Sequence, residues 1–235
     1  MDGTAVTTLP PGQRLIDGFP RFGTHLGRPA PAVPVEPVIE ISGAVTESIA
    51  LPLTALATLP RRELTADFHC VAGWSATGLR WEGVAFETFH RLIVEPLVRP
   101  DAKITHVVFG GLDGHRSIVL IEDALADDVL IAERLDGRPL DGDHGAPARL
   151  VSPRQYGYIS TKHLCRIELR TSKPTAVRAA HPISQIALRG PLVKPHPRAR
   201  VWEEERHPSL PARLLRPLYR LTVPLGVYLG ARGPR

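Results

Sequence analysis

The stretch TADFHCVAGW, Thr65 to Trp74, places Cys70 at the end of an apolar, strand-like run, and the 235-residue chain has only one other cysteine, Cys165. A lone thiol in such a run is ordinarily a small core residue. Its functional alternatives are a thiolate ligand to a soft or redox-active metal, or a nucleophile. Further along, HGAPAR sets His144 five residues before Arg149, and YGYISTKH sets Ser160 two residues before Lys162. An imidazole, a guanidinium, an ammonium and a hydroxyl, all carried on glycine-containing loops, suit a phosphate or another polyanion. Singly they read as surface groups; together with Cys70 they describe one site.

Other chemistries find less support. GWSATG, around Ser75, lacks the second glycine of a nucleophile elbow, and no HExxH, paired CxxC, phosphate loop or dinucleotide glycine fingerprint occurs. Lys and Arg outnumber Asp and Glu by 29 to 24, a net charge of +5. That small surplus, with no nucleic-acid-binding signature and no alternation of basic and aromatic residues, argues for an anion pocket rather than nucleic acid. Two cysteines are too few for a disulfide framework, and the first twenty residues lack an export signal, so a cytoplasmic location is expected.

The elements that must position these groups are mostly strands. VIEISGAV, TADFHCVAGW, KITHVVFGG, HRSIVL, ARLVS and CRIEL read as strands, LPLTALATLP as a short helix, and WEGVAFETFHRLI as a turn feeding a helix. IEDALADDVLIAERLDG has helical spacing ending at Gly137. No regular βαβ alternation appears. The expected fold class is α+β, mostly β, with mixed sheets and short helices in a single core domain.

The 24 prolines gather toward the two ends. Residues 1–37 therefore read as an extended arm, 38–175 as the domain and 176–235 as a Pro/Arg-rich extension. In that extension Leu214, Leu215, Leu218 and Leu221 share a helical face near Arg213, Arg216 and Arg220, while Pro217 and Pro224 are expected to break a regular helix. The tail reads as a strap on the domain, with docking on a membrane or an electron-transfer partner as the alternative.

Five stretches, in order, resemble the sulfite oxidase family of molybdopterin-dependent oxidoreductases: FGTHL, DFHCVAGWS with WEGV, FGGLDGHRSIVLIEDAL, DGDHGAPARLV and YGYISTKHLCRIEL. The resemblance implies the molybdopterin-domain fold of that family and a molybdenum-molybdopterin cofactor with Cys70 as the protein ligand to the metal. It implies pterin-phosphate contacts from His144, Arg149, Ser160 and Lys162 and a role for Asp113. It also implies that the arm, with Arg21, Thr24 and His25, folds over the cofactor. Trp74 and Trp81 match aromatic positions of the family and read as packing residues; Cys165 reads as a core residue.

The implied activity is two-electron oxygen-atom transfer on a small, anionic or sulfur-containing substrate, coupled to an electron-transfer partner such as a cytochrome or membrane reductase. The alternative is a module that binds the pterin without catalysis. The tyrosine that sulfite oxidases carry beyond the lysine matching Lys162 is missing from AAHPISQ, and Ile159 stands where many bacterial members place a lysine. These departures point away from sulfite and leave a reductase direction, as on sulfoxides, open.

Overall fold

The computed structural model describes residues 8–21, 29–174, 196–208 and 210–231. The arm contributes β1, Arg14–Leu15. Alternating apolar residues in VIEISG make β2, Val38–Gly43, and β3 follows at Ile49–Pro52. A 3-10 turn over Leu53–Thr58 takes the place of the short helix expected there. Next come β4, Arg62–His69, the long β5, Trp74–Ala85, and the single-turn α1, Phe86–Phe89. The domain continues through β6, His106–Gly111, β7, Arg116–Leu120, α2, Ile121–Ala124, and β8, Leu130–Leu135. It closes with β9, Arg138–Pro139, β10, Arg149–Val151, and β11, Leu164–Arg170; α3, Ala212–Ala231, follows in the extension.

Two mixed sheets result. One runs β1-β5-β8-β10, with β4 also on β5 and β9 on β8; the other runs β3-β2-β11-β6-β7. β1 lies parallel to β5 and β11 parallel to β2, and the other pairings are antiparallel. The expected α+β class, mostly strand with short helices, is the observed architecture.

The first sheet has two buried faces. Val84, Ile131 and Leu150 join Ile39, Ile41, Phe109 and Ile167 of the second sheet in the main core, with Phe86 and Phe89 between. Trp74, Trp81, Leu130 and Val151 point the other way into a second cluster, which also includes Val223 of α3. Period-two alternation accounts for this division, since Leu130 and Ile131, or Leu150 and Val151, must face opposite sides. Ile16 and Phe19 of the arm, and Tyr219 and Val227 of α3, pack on that second cluster. The two Pro-rich ends thus cover a sheet face that water would otherwise reach, and both tryptophans are packing residues, at most 1% exposed.

Several expectations are corrected. The helical spacing of 121–137 yields only α2, one turn long, because LIAERL is drawn into β8 by pairing with both β5 and β10. Residues 81–85 extend β5 instead of turning. Pro217 and Pro224 lie inside α3 without ending it, both on its exposed side, where a missing N–H and a freed carbonyl meet water. Leu215 is buried while Leu214, Leu218 and Leu221 are exposed, so the four leucines do not act as one face. Cys165 is partly exposed, at an irregularity in β11 where the register shifts between Leu164 and Arg166.

Candidate functional site

Cys70 sits not in a strand but in the tight turn that joins β4 to β5. Its N–H donates to the Trp74 carbonyl at 2.8 Å and its own carbonyl accepts from Gly73 N–H at 2.9 Å. The turn demands glycine at position 73, where φ is +96° and a Cβ would come within 3.0 Å of the Gly12 carbonyl. The arm braces the hairpin: Gln13 Nε2 donates to the Cys70 carbonyl at 3.1 Å. Ser75 Oγ donates to Gln13 Oε1 at 3.2 Å and lies 2.7 Å from His69 Nδ1.

The C-terminal extension braces it from the other side. Arg206, 1% exposed, donates to the carbonyls of Val71, Pro11 and Gly12, and its guanidinium lies over the Tyr156 ring at 5.0 Å and the Tyr219 ring at 5.8 Å. Tyr219 Oη meets His207 Nε2 at 2.6 Å. Burial pushes the Cys70 thiol up to about 12, against a smaller pull downward from the Ala72 N–H and from the charges of Arg206 and Lys162. The thiol is held protonated unless a stronger electrophile than a proton replaces it.

Beyond Cys70 lies a cationic cluster. Arg149, fully buried at the start of β10, donates to the carbonyls of His144 at 3.0 Å, Ser160 at 3.1 Å and Leu150 at 3.3 Å. The rings of Trp81, Phe68 and Phe19 stand 5.1, 5.6 and 5.8 Å from its guanidinium carbon. Its pKa falls to about 9 through burial. Lys162 donates to the Asp143 carbonyl, and its pKa falls to about 7, first through burial and then through repulsion by Arg149 and Arg21. Arg21 pairs with Asp143 at 3.0 Å.

His144 is fixed by Asp141 Oδ1 at 2.8 Å and the Phe19 carbonyl at 2.9 Å. Ser160 Oγ accepts from Ser152 N–H at 3.1 Å, and Asp113 Oδ1 accepts from His115 N–H at 2.9 Å. Gly145, at φ +105°, lets its loop ride directly on Lys162, whose side chain lies 3.0 Å from where a Cβ would stand.

The fold therefore brings Arg21, Asp113, His144, Ser160 and Lys162, on loops, around Arg149 at the start of β10, with Lys162 close enough to Cys70 for its charge to act on the thiol. Thr24 and His25 lie outside the described residues. Gln13, Phe19, Arg206 and Tyr219 belong to the same site and were not singled out in the sequence. Gln13 and Phe19 carry no local signal at all. Arg206 stands in RVWEEERHP, where the neighbouring glutamates make it read as an ordinary surface ion pair.

These groups fit a pterin phosphate and a thiolate-bound metal. Among the described residues neither Arg149, fully buried, nor Lys162, half-buried, has a carboxylate within ion-pair distance, so a bound anion would neutralise their charge. No group of three or more His, Cys, Asp or Glu able to hold a metal occurs among the described residues. A metal at Cys70 would thus draw its remaining ligands from a bound group, as a pterin dithiolene provides.

A mixed-sheet domain presenting one cysteine beside a cluster of cations suits a phosphate-bearing cofactor with a metal. The family profile of the oxidoreductase molybdopterin binding domain matches residues 29–177, and the chain belongs to that family, with molybdenum-molybdopterin as its cofactor. It is 33% identical over 136 residues to YedZ1 of Azospira oryzae, covering 58% of this chain and 50% of that one. It is 29% identical over 162 residues to the uncharacterized oxidoreductase YuiH of Bacillus subtilis, covering 68% and 78%. With the protein-methionine-sulfoxide reductase catalytic subunit MsrP of Pseudomonas syringae it shares 27% identity over 231 residues, covering 88% and 66%. The chain thus spans between half and about four fifths of these relatives. The crystal structure of the sulfane dehydrogenase SoxCD from Paracoccus pantotrophus has the same fold, with a TM-score of 0.53 at 23% identity over 61% of this chain and 40% of that one.

Proposed function

We propose that this protein catalyses two-electron oxygen-atom transfer on a small anionic or sulfur-containing substrate, in the reductive direction on a sulfoxide. The observation that carries this is the pairing of one partly buried thiol, on a turn clamped from both chain ends, with Arg149 and Lys162 beside it, neither in an ion pair among the described residues. When bound, the molybdenum cofactor supplies the oxygen acceptor and the electron pair. Cys70 would hold the metal as a thiolate, giving up its proton on binding. Arg149 and Lys162 would hold the cofactor's phosphate, with His144 and Ser160 beside them, and the ring cluster of Phe68, Trp74 and Trp81 would exclude water. In the reductive direction the balance is one sulfoxide, two electrons and two protons giving one thioether and one water. A one-electron carrier protein restores the electrons. The name of the Pseudomonas relative supports a sulfoxide.

The test uses protein made in a molybdenum-competent host. Molybdenum and pterin content are measured, then dye-coupled reduction of methionine sulfoxide and dimethyl sulfoxide and oxidation of sulfite. Near-stoichiometric cofactor with sulfoxide turnover is expected. Cys70→Ser should retain pterin and lose turnover; unchanged turnover in that variant would overturn the assignment.

A further inference from the structure

The outward face of α3 has no part in the chemistry described so far. Its inward face seats Ala212, Leu215 and Val223 in the domain, with Tyr219 and Val227 packed beside them. On the other side Leu214, Leu221 and Leu225 are 66%, 79% and 60% exposed. Leu218 and Tyr228, each about half exposed, fall on the same line. Spacings of four, three, four and three residues keep all five on one stripe along the helix. Among the described residues, eleven large hydrophobic side chains are exposed, and these five lie on this one helix, so the patch is not scattered surface leucine.

Charge identifies what covers it. α3 contains Arg213, Arg216 and Arg220 and no acidic residue. Arg216 is taken by Glu204, whereas Arg213 and Arg220 are exposed beside the stripe with no carboxylate partner among the described residues. Two copies packed stripe to stripe would bring like charges together. A zipper-type partner helix packs closely along both flanks, but here Pro217 and Pro224 alternate with Arg213 and Arg220 on one flank, at the same four- and three-residue spacing as the stripe. Those prolines also leave the carbonyls of Arg213 and Arg220 without their intrahelical N–H donors, a cost in hydrocarbon that headgroup water removes. No helix of the described residues is long and apolar enough to cross a membrane. Apolar residues flanked by unpaired arginines on a helix that cannot span suit the interfacial plane of an anionic bilayer.

We propose that the outward face of α3 docks this protein on an anionic lipid surface, with the helix axis parallel to the membrane. Leu214, Leu221 and Leu225 enter the acyl boundary, and Arg213 and Arg220 meet lipid phosphates. The inward face of the same helix carries Tyr219 against the Cys70 turn, so docking holds that side of the domain at the bilayer. This inference stands independently of the substrate.

The test is flotation of the full-length, cofactor-loaded protein with vesicles of phosphatidylglycerol and phosphatidylcholine, or of phosphatidylcholine alone. Binding to the anionic vesicles only, weakening as salt rises, is expected. Leu221→Glu with Leu225→Glu should lower the partition coefficient by at least about tenfold, and Arg213→Gln with Arg220→Gln by several-fold. Both variants change exposed side chains, and unaltered thermal unfolding checks that they remain folded. Three results would overturn the proposal. The wild type could fail to float with anionic vesicles at low salt, or the leucine variant could float as well as wild type. The wild type could also bind native membranes but not pure lipid, which assigns the stripe to a protein. A wild-type dimer that the leucine variant dissolves in the absence of lipid would likewise overturn it and assign the stripe to a second copy.

Discussion

Gln13 Nε2 donates to the Cys70 carbonyl at 3.1 Å while Gln13 Oε1 accepts from Ser75 Oγ at 3.2 Å, so a single side chain of the N-terminal arm ties together both limbs of the hairpin that presents the thiol. On the opposite side Arg206 holds the Val71 carbonyl of the same turn. The turn is therefore fixed by segments nearly two hundred residues apart, and each chain end becomes part of the site it covers.

Gln13→Ala removes both hydrogen bonds and leaves the fully buried Ser75 hydroxyl with its His69 contact alone. A loss of about 1–2 kcal/mol is expected, or roughly 2–8 °C in the melting temperature of a domain of this size. Molybdenum content should fall with it, because the turn loses its brace. Calorimetry alongside metal analysis of the same preparation measures both.

Lys162→Met should separate stability from function. The ammonium lies among the like charges of Arg149 and Arg21, and its pKa has fallen to about 7. Exchanging it for an apolar chain of similar length relieves that repulsion, so the cofactor-free protein should melt at a higher temperature. Cofactor retention should drop tenfold or more, since a charged phosphate contact is gone. Pterin released per mole of protein, compared between variant and wild type, is the readout.

The strands around the site were legible because period-two alternation in VIEISG and CRIEL survives whatever packs on it. Cys70, Arg149 and Lys162 stand out in sequence as a lone thiol and as cations within the glycine-containing stretches HGAPAR and YGYISTKH. The β8 segment was not legible: LIAERL carries helical spacing, and only pairing with β5 and β10 decides for strand. Nor were Gln13, Phe19 and Arg206. Their roles depend on where distant segments come to lie, which local pattern does not encode. The continuity of α3 through two prolines has the same origin, since burial of Leu215 and Val223 offsets the lost hydrogen bonds.

The cationic cluster sets a pH dependence whose sign follows from proton counts. Lys162 has an ordinary value of 10.5 and titrates near 7 in the fold, so between those values the unfolded chain binds the extra proton and stability rises with pH. Arg149, with an ordinary value of 12.5 and a folded value near 9, continues the rise at higher pH. Below pH 7 both groups are protonated in both states and their contribution to the slope vanishes. Urea unfolding of cofactor-free protein from pH 6 to 9 should show this increase, and Lys162→Met should flatten it. A wild-type curve parallel to that of the variant would mean that Lys162 is solvated and ordinary.

The thiol itself gives the last prediction. An ordinary value of 9.0 raised to about 12 leaves the Cys70 thiolate about a thousandfold scarcer at pH 8 than in an unperturbed cysteine. In a Cys165→Ala background, which removes the other, partly exposed thiol, iodoacetamide should label folded cofactor-free protein slowly and the urea-unfolded chain at the usual rate. Arg206→Gln should slow labelling further if the turn keeps its geometry, because the positive charge that favours the thiolate is gone. Loading the metal should release one proton per site near neutral pH, since the ligand form is the thiolate and the resting form is the thiol. Rapid labelling of the folded, metal-free protein would show that Cys70 is already ionised, and with it that the metal is not what deprotonates it.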